Sequence, residues 1–182
     1  MALQFTTSYL SDSQSLLRHY KRLADGAIAQ VTDEELQRAL DEDGNSIAVI
    51  MKHLAGNMRS RWTDFLTTDG EKPDRDRDSE FEEPPGTRAE LLAMWENCWS
   101  ILFDALGPLT EKDMAREVRI RGERHSVMQA ISRQLAHYAY HIGQMIVIAR
   151  AFRGAAWNNL SVPAKQSAAY NRKVSSGEAS QR

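Results

Sequence analysis

A chain of 182 residues suits one domain with a full core, and a net charge of −2 gives no general attraction to nucleic acid or to an anionic membrane. The single cysteine, Cys98, excludes an internal disulfide and fits a reducing cytoplasm. No stretch approaches the roughly 20 apolar residues that span a bilayer, and Met1–Thr7 lacks the basic start and apolar run of a signal peptide, so a soluble cytoplasmic protein is expected.

Four long segments carry the helical period, and no convincing strand run competes with them. The first covers about Ala2 to Gln30, with Leu16, Tyr20, Leu23, Ala27 and Val31 spaced by three and four. Thr32-Asp33-Glu34-Glu35 has the form of a capping box and predicts a short helical turn. The second long helix runs from about Asn45 to Thr67, with Ile47, Ile50, Leu54, Met58, Trp62 and Phe65 on one stripe.

The connection from Thr68 to Gly86 is too long and too charged for a tight turn. Between Asp69 and Glu83 it holds eight acids against three bases, with Pro73 interrupting any helix. An extended chain covers about 3.3 Å per residue, so this segment can run the length of a helix. The second and third helices are then free to lie parallel, as in bundles with one crossover.

The third helix opens at the capping box Thr87-Arg88-Ala89-Glu90, after Pro84-Pro85-Gly86. It continues through Leu91, Trp95, Cys98, Leu102 and Leu106 until Gly107-Pro108 stops it. From Glu117 to Arg124 the character alternates around Gly122, which fits a small β-hairpin. The fourth helix begins at the capping box Ser126-Val127-Met128-Gln129 and continues to about Phe152. Its stripe is Ile131, Leu135, Tyr138, Ile142, Met145, Ala149 and Phe152. Residues 1–152 thus form one all-α domain. Trp157, Leu160, Val162, Pro163 and Tyr170 indicate a partly packed extension over 153–172, followed by a disordered polar tail over 173–182.

Within the fourth helix, His137 and His141 stand one turn apart, projecting from one side at roughly 6 Å. That spacing lets two imidazoles hold one ion. His53 in the second helix would complete a three-histidine site with an open position, provided the second and fourth helices are neighbours. All three positions lie on the flank of a buried stripe, where solvated surface histidines fit equally well. Gln144, Asn57 and Arg61 follow the histidines at helical spacing and are candidates to support a ligand or orient a substrate. Gly143 leaves room for close helix approach. Cys98 reads as a buried structural thiol, and His19 and His125 as ordinary surface or cap residues. His-Glu-x-x-His, Glu-x-x-His pairs, a phosphate-cradling glycine loop and a nucleophile elbow are all absent from the sequence.

His53-Leu54-Ala55-Gly56-Asn57 followed by His137-Tyr138-Ala139-Tyr140-His141-Ile142-Gly143-Gln144 resembles the DinB-like superfamily of bacterial metal-binding four-helix bundles. Arg59-Ser60-Arg61-Trp62-Thr63-Asp64-Phe65-Leu66 through Arg77-Asp78-Ser79-Glu80-Phe81, with Leu160-Ser161-Val162-Pro163, looks like an uncharacterised branch of it. The resemblance covers about residues 1 to 152 and implies an up-down-down-up bundle with a long connection between helices two and three. It further implies a divalent ion, nickel or zinc, held by His53, His137 and His141, and a homodimer. Manganese is among the ions that a neutral three-histidine site accepts. Members with known activity transfer low-molecular-weight thiols. The expected function is therefore a metal-dependent thiol S-transferase or hydrolase acting on a small electrophile. The alternatives are a non-catalytic metal- or ligand-binding stress protein and a structural dimer with a vestigial site. No nucleic-acid or membrane partner is expected.

Overall fold

The computed structural model describes residues 8–84 and 86–179. It is mostly helical, with six helices and one two-stranded sheet among the described residues. Helix α1 (Tyr9–Ile28) opens where the Ser8 hydroxyl accepts the Ser11 amide. The expected start near Ala2 falls on residues 1–7, outside the described ones. Its buried face is Leu10, Leu17, Ala24 and Ile28. The stripe expected from Leu16 is rotated by one residue, since Leu16 is 43% exposed while Tyr20 and Leu23 pack at the core's edge.

Helix α2 (Asp33–Gln37) closes the expected capping box at Thr32 and Glu35. Helix α3 (Ile47–Trp62) buries Ile47, Ile50, Leu54, Met58 and Trp62, the stripe read from the sequence. It ends five residues before the expected Thr67. Thr63 turns extended, Asp64 takes a φ of +49°, and the Asp64 carbonyl accepts the Thr67 and Thr68 amides. The chain folds back there, which still buries Phe65.

Helix α4 (Arg88–Leu106) starts at the Thr87–Glu90 capping box, and Pro85 just before it lies outside the described residues. Strands β1 (Glu117–Ile120) and β2 (Glu123–Ser126) pair antiparallel, with Ile120 opposite Glu123. The two-residue loop is Arg121-Gly122, both at positive φ (56° and 79°), as a type I′ turn requires. Asp69 steadies the non-glycine residue by accepting the Arg121 and Gly122 amides at 2.8 and 2.8 Å. Helix α5 (Val127–Arg153) follows directly from Ser126.

Helix α3 lies against α4 and α5, and α1 against α5. The neighbourhood needed to bring His53 to the α5 pair is therefore present. Trp95, Trp99, Tyr138, Leu54 and Met58 fill the middle of the core. Burial of each such side chain is worth about 1.5–3 kcal/mol. Cross-helix hydrogen bonds run from Tyr9 Oη to the Met128 carbonyl (3.1 Å) and from Gln14 Nε2 to the Leu106 carbonyl (2.9 Å). Trp95 Nε1 donates to Asp25 (2.8 Å), and Trp62 Nε1 donates to Tyr138 Oη (2.9 Å).

The crossover between α3 and α4 is anchored at both ends. The Gly70 amide donates to the Arg119 carbonyl at 2.7 Å, tying its start to the hairpin. The Lys52 ammonium donates to the Ser79 and Glu83 carbonyls, tying its end to α3. After α5, Trp157 and Leu160 pack on the core, and Asn158 and Gln30 exchange two hydrogen bonds. Helix α6 (Ser167–Ser175) then extends three residues into the stretch from Lys173 expected to be disordered, while residues 180–182 lie outside the described ones. No described helix is long and apolar enough to cross a membrane.

Candidate metal centre

Helices α3 and α5 bring His53, His137 and His141 together, with one ligand atom from each inside a 4.8 Å span, a group that could hold a metal ion. His53 Nε2 and His137 Nε2 face each other at 3.2 Å. Two ring nitrogens so placed share either one proton or one cation. Two ligands of a tetrahedral ion bound at about 2.0–2.1 Å would stand roughly 3.2–3.5 Å apart, so this pair fits one.

Two of the rings are held from behind. His53 is 3% exposed, and its Nδ1 donates to Glu80 Oε2 at 2.8 Å, which leaves the Nε2 lone pair for the site. His141 Nδ1 donates to Gln144 Oε1 at 2.8 Å with the same effect. Burial, reinforced by the proximity of the His141 and His53 rings and of Arg75 and Arg61, pushes the His137 imidazole down to about 3. Burial and His53 also lower His141. Both rings are thus neutral at pH 7, the form that ligates metal.

Glu80 is a buried carboxylate in the crossover, on a 3-10 turn over Ser79–Phe81. Burial alone would raise its carboxyl, but hydrogen bonds from His53 and Arg75 outweigh it and hold Glu80 below the usual range. Arg75 grips it with Nε at 2.8 Å and Nη2 at 2.9 Å. Gly56 makes room for this carboxylate, since a Cβ at that position would lie 2.2 Å from Glu80 Oε1. Phe81 covers one face of His53 with ring centroids 4.6 Å apart.

His53, His137, His141, Asn57, Arg61 and Gln144 all line one cavity of about 550 Å³. Asn57 and Arg61 are buried, Asn57 accepting from Tyr138 Oη at 3.2 Å and Arg61 donating to Glu71 at 2.8 Å. Among the described residues nothing lies within 4 Å of where a Cβ on Gly143 would sit, so the expected close helix approach is not seen there. His19 and His125 are outside the cluster. Cys98 donates to the Trp95 carbonyl at 3.0 Å, and burial pushes its thiol up to about 12, which removes it as a nucleophile. The sequence reading missed Glu80, Arg75, Phe81 and Arg133, of which only Arg133 had a readable signal, one turn before His137 on the same helix face.

A mostly helical scaffold that converges three histidines on an arginine-lined cavity defines a class of candidate metal-binding helical proteins. The chain belongs to the family described as protein of unknown function DUF1572, whose model matches residues 4–166. A search of curated proteins returns no match.

Proposed function

We propose that this chain is a divalent-metal protein of the DinB-like superfamily, acting on a small electrophilic substrate as a thiol S-transferase or hydrolase. The observation that carries the reading is the His53 ring, fixed by Glu80 at Nδ1 and facing His137 at 3.2 Å through Nε2. Carboxylate–histidine pairs of this kind orient metal ligands and raise their basicity. The reading includes an up-down-down-up bundle. Its support is that α1 meets the start of α5 through Tyr9 and the end of α4 through Gln14, while Trp95 of α4 meets Asp25 late in α1. His53 early in α3 likewise neighbours His141, and Trp62 at its end reaches back to Tyr138.

A divalent ion bound by three neutral imidazoles keeps its full charge and supplies Lewis acidity, lowering the pKa of a water or thiol toward about 7. The chain's own residues prepare the rest. Arg75 keeps Glu80 ionised, Glu80 keeps His53 in the ligating tautomer, and Gln144 does the same for His141 while its amide nitrogen donates to Tyr140 Oη at 3.2 Å. Asn57 and Arg61 line the cavity floor, where they would orient a substrate.

The test is the metal content of untagged protein and of His137→Ala, followed by turnover with a panel of thiols and electrophiles. One divalent ion per chain, lost in the variant, with turnover that chelation abolishes, is the expected result. A chain that takes up no nickel, zinc or manganese sinks the reading. Stoichiometric metal with no turnover across the panel leaves a buffering or sensing protein instead.

A further inference from the structure

The cavity beside the histidines is cationic, in a chain whose net charge is −2. Arg61, Arg75, Arg77, Arg121 and Arg133 line it, and no carboxylate does among the described residues. We propose that this cavity binds the anionic end of a small substrate, a carboxylate or phosphate group, held by Arg77 and Arg133 above the buried guanidinium of Arg61. The assignment names the substrate class for the metal centre proposed above and rests on that reading.

The charge balance carries it. Behind the wall, Glu71 is shared by Arg61 (2.8 Å), Arg121 (3.1 Å) and Arg75 (3.4 Å), and Glu80 is taken by Arg75 and His53. By ion pair, two carboxylates therefore serve three guanidiniums and one imidazole, while Asp69, also within reach of Arg61's charge, is taken by the Arg121 and Gly122 amides. Arg77 and Arg133 have no ion pair among the described residues. Arg77 is not loose, because its guanidinium lies 5.0 Å from the Phe81 ring centroid, and Phe81 in turn stacks on His53. Arg133 stands one turn before His137 on α5, so it faces the same side of the helix. A divalent ion on three neutral ligands would add further positive charge. A neutral substrate entering here would desolvate these cations without a counter-charge, whereas an oxyanion matches guanidinium geometry with paired hydrogen bonds.

A second observation is independent of charge counting. Among the described residues, four buried side-chain polar atoms have no hydrogen-bond partner, and three of them belong to residues of this wall: Arg61 Nε, Gln134 Oε1 and His137 Nδ1. Buried polar atoms are ordinarily satisfied, so Arg61 Nε, a donor without an acceptor, agrees with a wall short of anions, while the Gln134 oxygen is itself an acceptor that an anion would not satisfy. Burial, together with the charges of Arg75 and Arg121, outweighs the Glu71 contact at Arg61 and shifts its guanidinium down from the usual value. The volume of about 550 Å³ suits a small metabolite.

Calorimetric titration of the full-length, untagged, zinc-loaded protein with succinate, neutral succinamide and inorganic phosphate tests the assignment. Succinate, phosphate or both should bind with an affinity that falls as salt rises, and succinamide about tenfold or more weaker. Arg77→Gln/Arg133→Gln, at two exposed positions, should weaken the anion by about tenfold or more while keeping the parent's zinc content and melting temperature. Phosphate binding more tightly than succinate assigns the cavity to phosphoryl groups, and the reverse to carboxylates. Equal binding of succinate and succinamide, no binding of either anion, or an unchanged affinity in the double variant overturns the proposal. Protein that holds zinc but ignores both anions removes this assignment alone. Protein that takes no zinc yet binds succinate through Arg77 and Arg133 removes the metal reading and leaves the anion site standing.

Discussion

Gly56 and Glu80 divide one task between them. The helix gives up a side chain at residue 56 so that a carboxylate from the crossover can reach His53. Gly56→Ala therefore makes opposite demands on stability and function. Alanine favours the helix by about 1 kcal/mol over glycine, yet its Cβ would displace a carboxylate clamped by Arg75. We expect metal affinity to fall about 10–100-fold in a competition titration, as for lost partners of ligating histidines, with the buried Glu80–Arg75 pair disturbed as well. Unchanged affinity in both Gly56→Ala and Glu80→Gln would show that Glu80 does not orient His53. The His137–His141 pair was legible in the sequence because helical periodicity relates residues four apart, whereas His53 joined it only on the condition that the second and fourth helices are neighbours and through the family resemblance. Glu80 was not. It is one of eight acids between Asp69 and Glu83, and only the tertiary contacts of Arg75 and His53 separate it from the solvated ones.

At the scale of elements, the crossover carries most of what the sequence concealed. Its length and charge indicated a spanning connection, but its path depends on partners far along the chain. Asp69 and Gly70 dock on the hairpin, Glu71 gathers three arginines, and Lys52 holds the Ser79–Glu83 end. The helices were legible for the opposite reason. Their stripes and capping boxes are local, and the register slipped only in α1, where Leu16 and Leu17 compete for the core. Glu71 makes the crossover acid-sensitive. Burial alone would raise its carboxyl, but the Arg61 hydrogen bond and the Arg75 charge hold it below the ordinary value. A carboxyl depressed in the folded state contributes stability above its unfolded pKa of about 4.3, lost as pH falls through that value toward the folded one. Glu71→Gln should therefore lower stability at pH 7 by on the order of 2 kcal/mol and flatten the fall that sets in below about pH 4.3 in denaturant titrations. A parallel pH profile in the variant would place the acid sensitivity elsewhere.

For the whole molecule, the three-histidine cluster brings together two helices, α3 and α5, that also meet through the Trp62–Tyr138 and Tyr138–Asn57 hydrogen bonds. An ion bound by His53 on α3 and by His137 and His141 on α5 would couple its binding energy to the integrity of that pairing. Binding to the folded chain alone stabilises it by about 2.7 kcal/mol at a free metal concentration 100 times the dissociation constant. For a chain of this size each kcal/mol shifts the melting temperature by roughly 2–4 °C, so saturating zinc or nickel should raise it by about 5–10 °C. Chelation should reverse the shift. His137→Ala should melt at one temperature with or without metal, because two imidazoles rarely hold an ion against water. The double variant at Arg77 and Arg133 should retain the full metal-induced shift, since neither side chain is a ligand. A melting temperature indifferent to metal in the parent chain would mean that the three rings converge without holding an ion.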